Sequence, residues 1–379
     1  MVIKKKKNYF PRNVGENMKE KKDRILFNYF IIGFEIFIFI CLEGMIYPVR
    51  NTDEYYWGGY QYFSFICLVL LIMIIYKIVQ TISLKKGDSI MEYVTLSNGL
   101  KMPMVGFGVF RVPDKKECEE SVYQAIKAGY RLIDTAAAYY NEDAVGTAVK
   151  KAIAEGICTR EDLFITSKMW VQDMQNYEMA KQAIDASIEK SGLGYLDLYL
   201  LHQAMGDYFS AWRAMEDAYK EGKLKAIGVS NFYAHILVNF VHTVEIKPMV
   251  NQVELHPYYT QEKALETMKY YNVVPEAWAP LGGGRYNPFE DEMLKRIATK
   301  YNKSVGQVIL RWNIQRGVIV IPKSTHVERI KENIDIFDFE LNEEEMKQIS
   351  SLDMGYSGSR AKHFEPDFVR MVLNNKIHD

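Results

Sequence analysis

Two long apolar stretches lie near the N-terminus of the chain. Residues 25–49 carry only two charges, with Glu35 near the centre, and residues 60–84 carry one charge, Lys77. A helix of about 20 consecutive apolar residues crosses the core of a bilayer. The pattern therefore predicts two transmembrane helices, 25–49 and 60–84, within an N-terminal segment of residues 1–90.

Positive charge flanks this pair of stretches on both outer sides. The run Lys4–Lys7 precedes the first stretch, Lys85–Lys86 follows the second, and the loop between them contains Arg50 as its one basic residue. Because cytoplasmic flanks are rich in Lys and Arg, we expect both ends, and the domain that follows, on the cytoplasmic side of a membrane. Glu35 is either a tolerated charge or a functional carboxylate within the membrane. If translation starts at Met91, the protein is instead expected in the cytoplasm.

From Met91 onward, short apolar runs alternate with amphipathic segments. The predicted strands are 104–108, 131–135, 163–167, 195–201, 226–230, 249–255, 274–279 and 318–321. Helical patterns occupy 114–128, 142–154, 176–190, 208–221, 261–271, 290–300 and 326–334. Eight such strand and helix units in a domain of this size predict an α/β fold, the (β/α)8 TIM barrel, over residues 91–379. The competing doubly wound sheet lacks its G-x-G-x-x-G fingerprint here.

Three local signals add detail to the barrel. Asn98–Gly99, at the centre of Thr95–Met102, predicts a hairpin with a type I′ turn that closes the bottom of the barrel. Ser304–Gln307 and Asn342–Glu345 have the spacing of capping boxes and predict two helix starts.

Composition and charge exclude several classes of protein. The 379 residues are 48% hydrophobic and 25% charged, with a formal net charge of −1, which is ordinary for a globular protein and gives no electrostatic reason to bind nucleic acid. The four cysteines are scattered, so neither a disulfide framework nor a zinc site is predicted, and no metal is implied.

Four polar residues follow the second, third and fourth predicted strands. Asp134 ends one strand and is followed by Tyr139, Lys168 ends the next, and His202 ends the third. A barrel carries its chemistry at these carboxyl ends. A phenol with a pKa of about 10 is a weak acid, but a nearby ammonium favours its ionised form, and a carboxylate keeps that ammonium charged. With His202 to orient a carbonyl, the four could protonate the alkoxide formed when a nicotinamide delivers hydride.

Each of these residues also has an ordinary structural interpretation when it is taken alone. Asp134 could cap a helix, Tyr139 could pack, Lys168 could be solvated, and His202 could be a core histidine. Such separate roles explain poorly why all four follow successive strand ends.

The domain resembles the aldo-keto reductase family along nearly its whole length. The strings that carry this resemblance are GFGVF (106–110), LIDTAAAYYNEDAVG (132–146), LFITSKMW (163–170), GYLDLYLLH (194–202), AIGVSNF (226–232), VNQVELHPY (250–258) and IPKSTHVERIKEN (321–333). Within this family, the domain is similar to the bacterial 2,5-diketo-D-gluconate reductase-like members. The resemblance implies a (β/α)8 barrel that reduces aldehydes and ketones with NADPH, with Tyr139 as proton donor beside Asp134, Lys168 and His202.

The resemblance also implies positions for cofactor and substrate. The cofactor-binding residues that it implies are Ser230, Asn231 and Gln252 at the nicotinamide carboxamide, Trp278 on the nicotinamide ring, and Leu281. It also implies Lys323, Ser324 and Arg329 at the 2′-phosphate, and Glu332 and Asn333 at the adenine. Two cations and a hydroxyl suit a phosphate and favour NADP over NAD. The expected substrate pocket is formed by Phe110, Tyr140, Trp170 and His202, is also lined by Met169, and is shaped by Phe364 and Phe368 on a C-terminal loop.

Two functions remain open at the level of the sequence. The first is a membrane-tethered, NADPH-dependent reductase of small carbonyl compounds, with no protein partner identified. The second is an NADPH-binding redox-sensing subunit of a membrane partner, with little turnover. Turnover on carbonyl substrates distinguishes the two.

Overall fold

A computed structural model of the chain describes residues 91–284, 286–359 and 361–379. The two predicted transmembrane helices, 25–49 and 60–84, lie outside these residues and remain predictions. Within the described ranges, every helix is too short or too polar to cross a membrane.

Eight parallel strands form a closed barrel, as the sequence predicts. After a hairpin of β1 (Tyr93–Thr95) and β2 (Lys101–Pro103), they are β3 (Gly106–Gly108), β4 (Leu132–Asp134), β5 (Phe164–Met169), β6 (Leu198–Leu201), β7 (Ile227–Ser230), β8 (Val250–Glu254), β9 (Val274–Trp278) and β10 (Ile319–Val320). Each strand from β3 to β10 pairs with the next. A parallel bridge between Val105 and Val320 joins the last strand to the first. The amide of Gly108 also donates to the carbonyl of Pro322 at 3.1 Å, which closes the barrel.

The entry hairpin lies at the amino-terminal end of the barrel, but its turn differs from the expected type I′. The amide of Gly99 donates to the carbonyl of Leu96 at 2.9 Å, and Gly99 alone of this turn has a positive φ, 88°. This is a type I turn followed by a left-handed glycine. The Asn98 side chain donates to the carbonyl of Lys225, just before β7, at 3.0 Å, and a tertiary contact therefore holds the turn.

Helices cover the outside of the barrel. They are α1 (Lys115–Lys127), α2 (Glu142–Ala154), α3 (Tyr177–Ser191), α4 (Tyr208–Lys220), α5 (Ala234–Val241), α6 (Glu262–Tyr271), α7 (Glu292–Tyr301), α8 (Val305–Gln315), α9 (Val327–Ile334), α10 (Glu343–Ser350) and α11 (Pro366–Asn374). All seven helices predicted from periodicity are present. Both predicted capping boxes are confirmed, at the starts of α8 and α10. The patterns did not predict α5 or α11.

The barrel interior carries the polar side chains of the site, whereas the layer between strands and helices is apolar. Lys168 is 0% exposed, and its neighbour Met169 points the other way, into the main hydrophobic core. Successive side chains of a strand face opposite sides, which explains this division. Met169 therefore does not line the pocket, contrary to the expectation.

Candidate active site

A buried ion pair lies at the centre of the barrel mouth. The Lys168 Nζ donates to Asp134 Oδ1 at 2.6 Å and to the carbonyl of Thr135 at 2.9 Å. The side chains of Lys168 and Asp134 are 0% and 3% exposed. Burial opposes the charge on Lys168, but the carboxylate of Asp134 and the phenol of Tyr139 outweigh it, and the pKa of Lys168 is raised. The ammonium is thus charged throughout the neutral range.

Tyr139 completes a short chain from this pair towards the pocket. It ends a 3-10 turn, Ala137–Tyr139, directly after β4, and its hydroxyl lies 3.4 Å from the Lys168 Nζ. Burial raises the pKa of Tyr139, and the opposing effect of Lys168 does not overcome it. The sequence argument predicted a lowered pKa, so that prediction is wrong for the net shift. The phenol therefore keeps its proton at neutral pH.

His202 faces Tyr139 across the mouth. Their ring centroids are 5.6 Å apart, and Trp170 packs on the other side of His202 at 5.2 Å. Burial, helped by Lys168 and by the imidazole of His363, holds the pKa of His202 well below its usual value. The Nδ1 atom of His202 is buried and has no hydrogen-bond partner among the described residues. This imidazole is neutral and retains hydrogen-bonding capacity.

The residues expected at a nicotinamide carboxamide lie together beside His202. The Nδ2 of Asn231 donates to the His202 carbonyl at 3.0 Å and to the Ser230 Oγ at 3.1 Å. Its Oδ1 accepts from the Trp278 Nε1 at 3.0 Å. The Ser230 hydroxyl donates to the Gln252 carbonyl at 2.9 Å, so these four residues form one connected group. Leu281 is half-buried against the core just beyond Trp278.

Several of the turns that follow strands contain a non-glycine residue with a left-handed backbone conformation. Tyr140, Asn231 and Ala279 have φ values of 59°, 62° and 51°. For a residue with a Cβ atom this conformation costs roughly 1–2 kcal/mol. Strain of this kind is often found at functional sites, and here it lies directly beside Tyr139, Ser230 and Trp278.

A second polar region follows β10. Lys323 and Arg329 are exposed, and neither has an ion-pair partner within the described part of the chain. The Ser324 Oγ accepts from the His326 amide at 3.1 Å. Glu332 is half-buried and Asn333 is 7% exposed, both on α9. Two unpaired cations beside a hydroxyl fit an anionic phosphate, and the residues expected at the adenosine end therefore fit that group.

The pocket wall is aromatic, and the C-terminal segment supports one side of it. The Phe110 ring lies 4.9 Å from that of Tyr139, and both Phe110 and Tyr140 are exposed, by 54% and 58%. The Trp170 Nε1 donates to the carbonyl of Asn375 at 2.7 Å. Phe368 packs against the cluster that contains Trp170. The C-terminal segment thus fixes the indole that contacts His202.

Phe364, the other aromatic residue expected on the C-terminal loop, packs in a tilted arrangement against Tyr233, with the ring centroids 4.5 Å apart, and is 63% exposed. Further along, His378 Nε2 lies 2.7 Å from Asp173 Oδ1, and the amide of Ile377 donates to Gln172 Oε1 at 2.7 Å. These contacts hold the end of the chain against the turn that follows β5.

Comparison with known proteins agrees with this geometry. The model of the Aldo/keto reductase family matches residues 104–354. The chain belongs to the aldo/keto reductase family. It is 51% identical over 266 residues to the glyoxal reductase of Bacillus subtilis, covering 70% of this chain and 94% of that protein. It is 39% identical over 265 residues to the methylglyoxal reductase DkgA of Yersinia pestis, covering 69% of this chain and 93% of that protein.

Among solved structures, the reductase is similar to a Bombyx mori aldo-keto reductase in complex with NADP. The TM-score is 0.69 at 36% identity, and the match covers 73% of this chain and 98% of the other. The shared fold therefore extends over nearly the whole of that enzyme.

Sequence reasoning missed one buried acid in the reductase site. Glu276, in the middle of β9, is 0% exposed, and its Oε2 accepts from the Gln252 Nε2 at 2.9 Å. The signal was a single carboxylate inside the apolar run VVPEAW, where ionisable residues are rarely buried without a partner. That signal does not reveal the partner, because Gln252 and Asp134 come from other strands.

Proposed function

We propose that the chain reduces small aldehydes and ketones to alcohols, with Tyr139 as the proton donor. The observation that carries this is the buried chain from Asp134 through Lys168 to Tyr139, which ends beside the neutral imidazole of His202. NADPH is the cofactor of this NADP-dependent oxidoreductase and supplies the hydride when it is bound. The protein's own residues orient the carbonyl and donate the proton.

Each residue of the site has a separate role in this reaction. The Lys168 ammonium, held by Asp134, favours the phenolate that remains after Tyr139 gives up its proton. His202, as a neutral imidazole, hydrogen-bonds the carbonyl oxygen and orients it towards the Tyr139 hydroxyl. Trp170, which is 7% exposed and packs against His202, excludes water from one side of the reacting carbon, which strengthens these interactions.

The cofactor is held at both ends in this proposal. Ser230, Asn231 and Gln252 bind the carboxamide, and Trp278 stacks on the nicotinamide ring beside Leu281. At the adenosine end the 2′-phosphate is bound by Lys323, Ser324 and Arg329, and the adenine by Glu332 and Asn333. The support is the connected group beside His202 and the unpaired cations after β10.

We propose small 1,2-dicarbonyl compounds as the first substrate class to test. The named relatives act on glyoxal and methylglyoxal, as their names state, and the aromatic wall of Phe110 and Trp170 offers no charge to bind a phosphorylated sugar. The finer similarity to 2,5-diketo-D-gluconate reductases adds a diketo sugar acid to the panel.

The experiment is NADPH oxidation by the purified protein against aldehydes, ketones and dicarbonyls. Tyr139→Phe should lower turnover by at least about 10²-fold and leave NADPH affinity nearly unchanged. Tyr270→Phe, at a tyrosine that is 82% exposed and outside the site, is the control and should retain turnover. Unchanged turnover in Tyr139→Phe would refute the assigned acid. Tight NADPH binding without turnover on any carbonyl would favour the redox-sensing subunit.

We further propose that residues 25–49 and 60–84 anchor the barrel to the cytoplasmic face of a membrane. The support is the hydropathy and the flanking charge alone. After cell fractionation and carbonate extraction the full chain should stay in the membrane pellet, whereas a variant that lacks residues 1–90 should be soluble and active. Full-length protein in the soluble fraction would refute the anchor.

A further inference from the structure

Glu276 is a second buried carboxylate in the reductase site, besides Asp134, and it has no role in the proposed chemistry. It pairs in register with Gln252 on the neighbouring strand β8, and both side chains are buried. A buried carboxylate is costly unless hydrogen bonds or a counter-charge compensate it. Its surroundings therefore show what it does.

A single amide nitrogen joins the two carboxylates of the site. The Gln252 Nε2 donates one hydrogen to Asp134 Oδ2 at 2.9 Å and the other to Glu276 Oε2 at 2.9 Å. An amide nitrogen has two hydrogens, so both are used. The side-chain oxygen of Gln252 then remains free to bind a cofactor carboxamide. The side-chain amide cannot flip by 180° without losing both hydrogen bonds.

The Lys168 ammonium interacts electrostatically with both carboxylates, Asp134 and Glu276. The titratable groups that act on Glu276 are Asp134 from β4 and Lys168 from β5. Glu276 in turn acts electrostatically on Tyr139, which lies in the turn after β4. On its other side β10 contributes Ile319 and Val320, which carry no charge. Burial, with repulsion from Asp134, raises the pKa of Glu276 to about 8. Glu276 is therefore mostly protonated at neutral pH, and once it ionises, above about pH 8, its charge raises the pKa of both Tyr139 and Lys168.

We propose that Glu276 is a positioning residue of the reductase site: it holds the amide of Gln252 between itself and Asp134, and its carboxylate, when ionised, acts on Tyr139 across the same network. This inference rests on the proposed role of Tyr139. Glu276 touches neither the substrate nor the reacting atoms. It acts through Gln252 at short range and through the field of its carboxylate on Tyr139.

Two substitutions separate the two effects. Glu276→Gln removes the charge and keeps an oxygen that accepts from Gln252, whereas Glu276→Leu removes both. The Tyr139 pKa should fall in both variants, so the alkaline decline of the single-turnover rate of carbonyl reduction should move down by roughly one pH unit. Glu276→Leu alone should also bind NADPH more weakly, by roughly five- to tenfold, because Gln252 is released.

Glu142→Gln is the matched control. Glu142 is a buried carboxylate that contacts Ser167 on the outer side of β5, and it does not act on Tyr139. A merely structural role of Glu276 would lower stability and leave the pH profile where it is. A Glu276→Gln profile that superimposes on those of the wild type and of Glu142→Gln would overturn the effect on Tyr139.

The NADPH titration, read by cofactor fluorescence, needs no turnover. If the wild-type protein reduced no carbonyl, the proposed function would fail, and the titration would still test the hold on Gln252. Equal NADPH affinity of the wild type and Glu276→Leu would overturn that hold. If Glu276→Leu did not fold, Glu276→Gln would still decide the effect of charge through its pH profile.

Discussion

Replacing Lys168 by Met tests the ion pair on which the site depends. The ammonium and the Asp134 carboxylate are 2.6 Å apart and almost fully buried. Removing one partner of a buried pair costs about 3–5 kcal/mol, because the remaining charge is left uncompensated. The Met side chain occupies a volume similar to that of the lysine stem, so a cavity contributes little. We therefore expect a loss of about 3–5 kcal/mol in the free energy of unfolding at neutral pH.

The loss should depend on pH. Because the folded-state pKa of Lys168 is raised above the usual 10.5, the stabilisation from its charge is complete below that value and is lost only as the pH rises through the raised one. The charge of Lys168 is therefore constant across the neutral and mildly acidic range. In the variant, the uncompensated carboxylate is relieved by taking up a proton, so the deficit should shrink as the pH is lowered.

Urea unfolding of the full chain, followed by tryptophan fluorescence at mildly alkaline and mildly acidic pH, measures this difference. The slope with denaturant should not change. Lys220→Met is the control, since Lys220 and its partner Glu245 are 48% and 69% exposed and such pairs contribute about 0–1 kcal/mol. Combining Lys168→Met with Asp134→Asn should restore part of the loss. A deficit of equal size at both pH values would refute the reasoning.

Three further results are expected. Arg329→Ala should weaken NADPH binding by roughly tenfold or more and leave NADH binding nearly unchanged, and equal losses in a fluorescence titration would contradict a contact with the 2′-phosphate. Because the pKa of His202 is held well below 6.5, kcat/KM for carbonyl reduction should show no inflection near that value, and an acidic limb there that His202→Gln removes would contradict the neutral imidazole. His378→Ala should loosen the C-terminal segment around Trp170 and raise KM, with little change in NADPH affinity. The pKa of His378 is raised, chiefly by the Asp379 backbone and then by Asp173. The ion pair of His378 with Asp173 therefore forms below that raised pKa and is lost as the pH rises through it. A KM difference between wild type and variant that grows with pH would contradict the contact.

The sequence determined the barrel because its evidence is local. Strands buried on both faces appear as short apolar runs, and amphipathic helices between them show a helical period. Asp134, Lys168 and His202 were found because each directly follows such a run. The capping boxes at Ser304 and Asn342 are local as well, and both are present. By contrast α5, with the sequence AHILVNFV, has too few polar residues to show a period.

The tertiary structure decided which groups meet and what charge they carry. Tyr139 and Tyr140 are adjacent in the sequence, and the turn after β4 directs one to Lys168 and leaves the other exposed. The net rise in the Tyr139 pKa reflects burial, which no spacing of residues reveals. Gln252 bonds both Asp134 and Glu276 because β4, β8 and β9, which are separated in the sequence, direct these side chains into the same barrel interior. Solvation and the distances between strands are properties of the closed barrel, so the chemistry of this site depends on contacts that the order of residues does not contain.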